Sequence, residues 1–232
     1  MIDFNEYVDN YEELHTKNIK QSGFKPAYFD EHKIKTLSND FFRNKQSNKK
    51  IRFLNFGCGI GKSEIYINQY FRNVEITSVD ISIESILKAK ARNFQFLNID
   101  FQHFIELKDL NFTSKFDVIF LANVLHHIPL DLRLETLFFL KSQLSDEGYL
   151  YVFEHNPKNL FTKKAFQSCE FDIGCEMIFD KTILKMLKTS GYNNIKRKFI
   201  LFFPKFFDYL IPLEKYLYFF SFGGQYWVKG NR

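Results

Sequence analysis

"FLNFGCGIGKSEIY", residues 53–66, sets a glycine-rich turn between an apolar run and a polar stretch that can form a helix. Such a turn lets the backbone approach a nucleotide closely, and three kinds of loop compete for it. A phosphate loop, G-x-x-x-x-G-K-[ST], would use Gly61, Lys62 and Ser63, but its opening glycine falls on Phe56. The dinucleotide fingerprint G-x-G-x-x-G accepts Gly57 and Gly59 and fails at Lys62, whose side chain stands where helix and strand must pack closely. The spacing G-x-G-x-G at Gly57, Gly59 and Gly61 fits without a gap.

Outward from the loop, apolar runs alternate with helix-forming stretches, the pattern of a parallel sheet covered by helices on both faces. Residues 51–56, 74–80, 94–100, 116–123 and 148–155 read as strands. Residues 62–71, 83–92, 130–145 and 180–190 read as helices. Two further strands, 193–203 and 223–230, read as an antiparallel pair, separated by a Phe/Tyr-rich insert at 204–222. The expected fold is α/β: a Rossmann-like, seven-stranded mixed sheet with an antiparallel last strand and a helical N-terminal cap. One domain over 1–232 is expected, with the cap at 1–45, a cofactor-binding core at 50–155 and a substrate side at 156–232.

Two acids follow the loop at strand ends. Asp80 lies about 20 residues on, where a carboxylate can accept both hydroxyls of a ribose. Asp100 ends the third expected strand, beside Phe101. A polyphosphate would want basic groups here, whereas these acids suit the cationic S-adenosylmethionine, which has a sulfonium and an ammonium and no phosphate.

With loop, acids and strand order together, the chain resembles the class I S-adenosylmethionine-dependent methyltransferases, from "YVDNYEELH" to "GGQYWVKG". The resemblance implies that Gly57, Cys58, Gly59 and Gly61 line the methionine moiety and that Asp80 holds the ribose. Ile81, Asp100 and Phe101 would meet the adenine, and Asn123 with Ala122 would close the site. The family usually carries an acid two residues before the first glycine, where this chain has Asn55, whose amide oxygen can still accept a bond from the cofactor's ammonium.

Methyl transfer needs an acceptor held in line and, for an alcohol, a group to remove its proton. The expected bases are His126 and His127, in "NVLHHIP", and His155, in "FEHNP"; Glu154 is a weaker candidate. His15, His32 and His103 stand in no motif and read as surface residues. No pair of His or Asp residues stands out at metal-ligand spacing, and no metal is expected. The segment 154–172 looks like an E-H-N-P and C-P-F-D region of a bacterial subgroup associated with surface polysaccharides, with Glu170 in place of the proline. That points to O-methylation of a sugar-like hydroxyl. Methylation of RNA or protein, and a non-catalytic binding module, are the alternatives.

Bulk properties exclude more than they identify. A net charge of +5, from 32 basic and 27 acidic residues, is too mild to argue for nucleic acid. The three cysteines, at 58, 169 and 175, form no CxxC pair or zinc spacing. The acidic start "MIDFNEYVDNYEEL" lacks the features of a signal peptide, and charges and prolines interrupt the apolar stretch 199–222, so no transmembrane span is expected. A cytoplasmic protein is expected. The insert reads first as packing against the last strands, with a lid, a homodimer face or a membrane-surface contact as other readings.

Overall fold

The structure is a computed structural model that describes residues 11–44 and 49–232. Residues 1–10 and 45 of the expected cap, and the start of the acidic N-terminal stretch, lie outside the described residues. Seven strands form one sheet: β1 (Ile51–Phe56), β2 (Val74–Asp80), β3 (Ile99–His103), β4 (Phe116–Ala122), β5 (Leu144–His155), β6 (Asn193–Ile200) and β7 (Gln225–Asn231). Their order is β3-β2-β1-β4-β5-β7-β6. The first five run parallel, and β7 inserts antiparallel between β5 and β6.

The apolar runs follow from this arrangement, because side chains alternate between two covered faces. In β4, Ile119 and Leu121 join one core with Leu54, Leu137 and Leu187. Val118 and Phe120 join the other, with Phe53, Tyr151 and Trp227. The first face is covered by α5 (Arg133–Gln143) and α7 (Asp180–Thr189). The second is covered by α2 (Pro26–Phe41) of the cap and α3 (Glu64–Tyr70). Asp40 of α2 fastens the cap to the far strands. Its carboxylate accepts from the Tyr151 hydroxyl at 3.1 Å and pairs with Lys198 and Lys229.

Helix α4 (Ile83–Arg92) begins where expected, with the Ser82 hydroxyl accepting from the Ser85 amide at 3.1 Å, a side-chain cap on an otherwise unpaired donor. Helices α1 (Tyr11–Ile19) and α6 (Leu160–Gln167) complete the surroundings of the strand ends.

Two expectations need correction. The third strand begins at Ile99, not at residue 94, because the apolar residues of 94–98 include Phe94 and Leu97, 82% and 100% exposed. The aromatic insert is not core packing. It forms a 3₁₀ segment, Lys205–Leu213, and a short helix, α8 (Glu214–Leu217), in neither of which is any residue buried. Phe206 is 83% exposed, and Tyr209 and Phe222 are exposed as well. The Glu214 carboxylate anchors the insert by accepting from the amides of Leu201, Phe202 and Phe203, the shortest bond being 2.7 Å.

Candidate active site

The strand order reverses between β1 and β4, with β2 on one side and β5 on the other, so the loops after these strands diverge and leave a crevice at their carboxyl ends. A cleft of about 1020 Å³ opens there. One end is built from the loop after β1 and the end of β2, the other from the loops after β4 and β5.

At the first end the glycine loop is fixed by backbone bonds. The amides of Gly57 and Cys58 donate to Val79 of β2 at 2.8 and 3.0 Å, and the Gly61 amide donates to Cys58 at 3.2 Å. Gly61 has φ +70°, and a Cβ there would sit 2.9 Å from the Ala89 Cα of α4. Gly59 has φ +52°, and a Cβ there would meet nothing within 4 Å. The first glycine lets a helix approach; the second leaves the mouth of the loop open.

Asp80 holds the loop from the side, its carboxylate accepting from the Gly59 amide at 2.7 Å and the Ser82 amide at 2.9 Å. Burial raises its pKa, and those amide bonds oppose the rise. Ile81, partly exposed, lines the cleft beside it. Asn123 takes the left-handed conformation, φ +57°, directly after β4. Its amide donates to the Phe153 carbonyl at 2.9 Å, and its Oδ1 is buried and has no hydrogen-bond partner. Asn123 lines the cleft, and an orphaned buried acceptor there costs free energy unless a ligand or water meets it. Together with the open space at Gly59, it fits a polar ligand such as S-adenosylmethionine.

Asp100 and Phe101 are not brought to this end. Because β3 starts later than expected, Asp100 lies early in the strand, exposed and accepting from Gln102, while Phe101 packs on Ile86 and Ala89. Phe104, Ile105 and Glu106, past the end of β3, line the cleft instead.

Asn55 is almost wholly buried and faces an acid that the sequence reading missed. Its Nδ2 donates to Glu64 Oε1 at 2.8 Å, and the Ser78 hydroxyl donates to the same oxygen at 2.7 Å. Glu64, the first residue of α3, is fully buried, and its Oε2 has no partner. Burial raises its pKa against those two bonds. The carboxylate absent from β1 therefore stands one side chain away, on the helix. An acid nine residues past Asn55, in the first helical turn, was the signal available.

The second end gathers the three expected histidines with two carboxylates. His126 is buried, its Nδ1 lying 2.6 Å from Glu154 Oε2 and its Nε2 3.2 Å from Asp172 Oδ1. Burial pulls its pKa down, but the two carboxylates outweigh that and lift it to about 9. His127 packs against it at 4.0 Å between ring centroids, with Nε2 3.5 Å from Asp172 and Nδ1 3.2 Å from Cys175 Sγ. Burial, reinforced by the charge on His126, brings His127 to about 4. His155 lines the cleft 5.9 Å from the His126 ring and 5.8 Å from Phe166, and burial lowers it also to about 4. Glu154, the weaker candidate base, is buried and turned to His126. Asp172 went unassigned in the sequence although it ends the quoted 154–172 segment.

His126, His127 and Asp172 also form a group whose donor atoms all lie within 4.8 Å of one another, a spacing that sequence distance concealed. His15, expected at the surface, lines the cleft from α1. Among the described residues no helix is long and apolar enough to cross a membrane.

Residues 54–150 match a family described as a methyltransferase domain. A methyltransferase from Archaeoglobus fulgidus, S-adenosylmethionine-dependent, is similar in structure at a TM-score of 0.69 and 17% identity, over 96% of this chain and 100% of that one. Magnesium protoporphyrin IX methyltransferase from Synechocystis PCC 6803, with S-adenosylhomocysteine bound, matches at 0.65 and 16%, over 98% and 97%. An N-methyltransferase from Bradyrhizobium japonicum WM9, also with S-adenosylhomocysteine, matches at 0.62 and 12%, over 99% and 98%. No curated protein sequence matches the chain. At these identities the structural likenesses show the fold.

Proposed function

We propose that this chain is a class I S-adenosylmethionine-dependent methyltransferase and that it methylates a hydroxyl of a small molecule, with a sugar-like ring as the favoured acceptor. The observation that carries the reading is the division of one cleft into two chemically distinct ends. The glycine loop, Asp80 and the unpartnered Asn123 oxygen stand at the ends of β1, β2 and β4, and the histidines at the loops after β4 and β5. Gly57, Cys58, Gly59 and Gly61 would line the methionine part, Asp80 the ribose, and Ile81 with Phe104 the adenine.

When bound, S-adenosylmethionine supplies a methyl carbon already activated by its sulfonium. The chain must then hold an acceptor oxygen in line and receive its proton. His126 has both ring nitrogens turned to carboxylates, and His127 has its nitrogens turned to Cys175 and Asp172. His155 lines the cleft with neither nitrogen paired to a carboxylate among the described residues, so it is the proposed base. Phe161, Phe166 and Phe202 also line the cleft and supply apolar surface for a ring to pack on. The E-H-N-P stretch, 154–157, adds the resemblance that favours a carbohydrate.

The test is S-adenosylhomocysteine formation by purified protein given nucleotide sugars and glycans, hydroxylated aromatics, RNA and a peptide mixture. Turnover with the first class alone supports the sugar reading, and turnover only with another class removes it. His155→Ala should lower kcat at least about a hundredfold with S-adenosylhomocysteine affinity unchanged. An unchanged kcat clears His155.

A further inference from the structure

The acceptor end contains more coordinating groups than proton transfer needs. His126 and His127 present Nε2 atoms 3.2 and 3.5 Å from Asp172 Oδ1, and all three donors fall within 4.8 Å of one another. Donors this close leave room between them for a cation, which zinc-type ligands hold at roughly 2.0–2.2 Å after small side-chain shifts. We propose that His126, His127 and Asp172 bind one divalent transition cation at the acceptor end of the cleft.

The surroundings are those of a metal site. Glu154 Oε2 accepts from His126 Nδ1 at 2.6 Å, which fixes the ring and turns its Nε2 lone pair toward the other donors. A carboxylate behind a ligating imidazole does this in many metal sites. The Glu154 carboxylate also accepts from the His126 amide, so it is itself held in place. Two imidazoles with one carboxylate suit zinc, cobalt, iron or manganese better than magnesium or calcium, which take oxygen donors. His126, His127 and Asp172 all line the cleft, so the remaining coordination position faces the space where an acceptor stands. The three donors come from the turn after β4 and from the segment after α6, and the apolar ring of Phe166 lies 5.4 Å from the His126 ring. Such a dry neighbourhood strengthens an electrostatic hold.

The cation enters as the proton between His126 Nε2 and Asp172 leaves to solvent. Its role would be to draw electron density from the acceptor oxygen. The acceptor proton would pass to His155 as the acceptor oxygen took the methyl group, with the electron pair of the broken carbon–sulfur bond kept by sulfur. That role rests on the acceptor reading above; the binding does not.

Cobalt(II) is the probe, titrated into tag-free, chelator-treated protein while visible absorption is recorded, with S-adenosylhomocysteine affinity measured on the same samples. The expected result is one equivalent of cobalt with bands of low-symmetry, near-tetrahedral coordination, lost in Asp172→Asn and in His127→Ala. Glu154→Gln should weaken cobalt binding about 10–100-fold. The variants that bind S-adenosylhomocysteine like the parent decide the matter. Absence of stoichiometric cobalt binding in the parent, or binding that survives both ligand substitutions, overturns the site while leaving the methyltransferase reading intact. Failure of the parent to bind S-adenosylhomocysteine would overturn that reading instead, whatever cobalt does.

Discussion

The two ends of the cleft are made in opposite ways. The end proposed for the cofactor is local: Asn55 to Glu64 is one strand–turn–helix unit, closed by Asp80 at the end of the neighbouring strand. Its geometry is held by backbone bonds and by glycines at positive φ, which few other residues tolerate. The end proposed for the acceptor is assembled from distant segments: His126 and His127 after β4, Glu154 and His155 at the end of β5, and Asp172 beyond α6. Its geometry is held by side-chain contacts among ionisable groups. A site of the first kind writes a motif into the sequence, while one of the second kind leaves only isolated residues.

The contrast breaks first if the glycine loop proves tolerant. Gly61→Val should have the largest effect on the fold. Its Cβ would stand 2.6 Å from Asn93 Nδ2 and 2.8 Å from Ala89 Cβ, at a backbone angle of +70°. Overpacking and left-handed strain together should cost about 3 kcal/mol. For a chain of this size that lowers Tm by roughly 10 °C. Gly59→Ala, where the Cβ meets open space, should cost only about 1–2 kcal/mol of strain. If instead Gly59→Ala melts as early as Gly61→Val, the loop is not positioned by its approach to α4.

Asp80→Ala sharpens the comparison on the binding side. The carboxylate both fixes the Gly59 amide and faces the proposed ribose, so its loss should weaken S-adenosylhomocysteine about a hundredfold by calorimetry. Asp80→Asn retains one acceptor oxygen and should recover part of that. Equal affinities for both variants and the parent would remove Asp80 from the cofactor site.

Legibility in the sequence follows the same division. β1, β2 and α4 have the bounds read from the sequence because each is fixed by a local signal: a strand pattern rich in buried apolar residues, a glycine turn, or the Ser82 cap. β3 was misplaced because it is an edge strand, paired only with β2, and Phe94 and Leu97 mimic a buried run while standing in water. That single shift carried Asp100 out of the site. The aromatic insert departs from the sequence expectation for a related reason: apolar composition suggests burial, but nothing in composition says that a partner face exists. The histidines are legible as candidates, but the carboxylates that partner His126 are not, because Glu154 and Asp172 lie 28 and 46 residues away.

The smallest effect tests how far the local end depends on one side-chain pair inside it, Asn55 and Glu64. Glu64 does not line the cleft, but it receives the Asn55 Nδ2 and thereby turns the Asn55 carbonyl oxygen away from itself. Asn55 does line the cleft, beside Gly57, where the resemblance places the cofactor's ammonium. Glu64→Gln can present an amide N–H to Asn55 and let that side chain flip, turning a donor toward a cation. Losing one hydrogen bond to a charged group should weaken S-adenosylhomocysteine about tenfold. 5′-Methylthioadenosine, which has the same nucleoside and no amino group, should bind Glu64→Gln as it binds the parent. The paired variant Asn55→Asp with Glu64→Gln restores a carboxylate at the strand position, with the glutamine amide as its donor, and should recover the lost affinity. Equal weakening toward both ligands would mean that Glu64 merely supports the packing of α3 on the sheet, and the acid missing from β1 would then have no substitute.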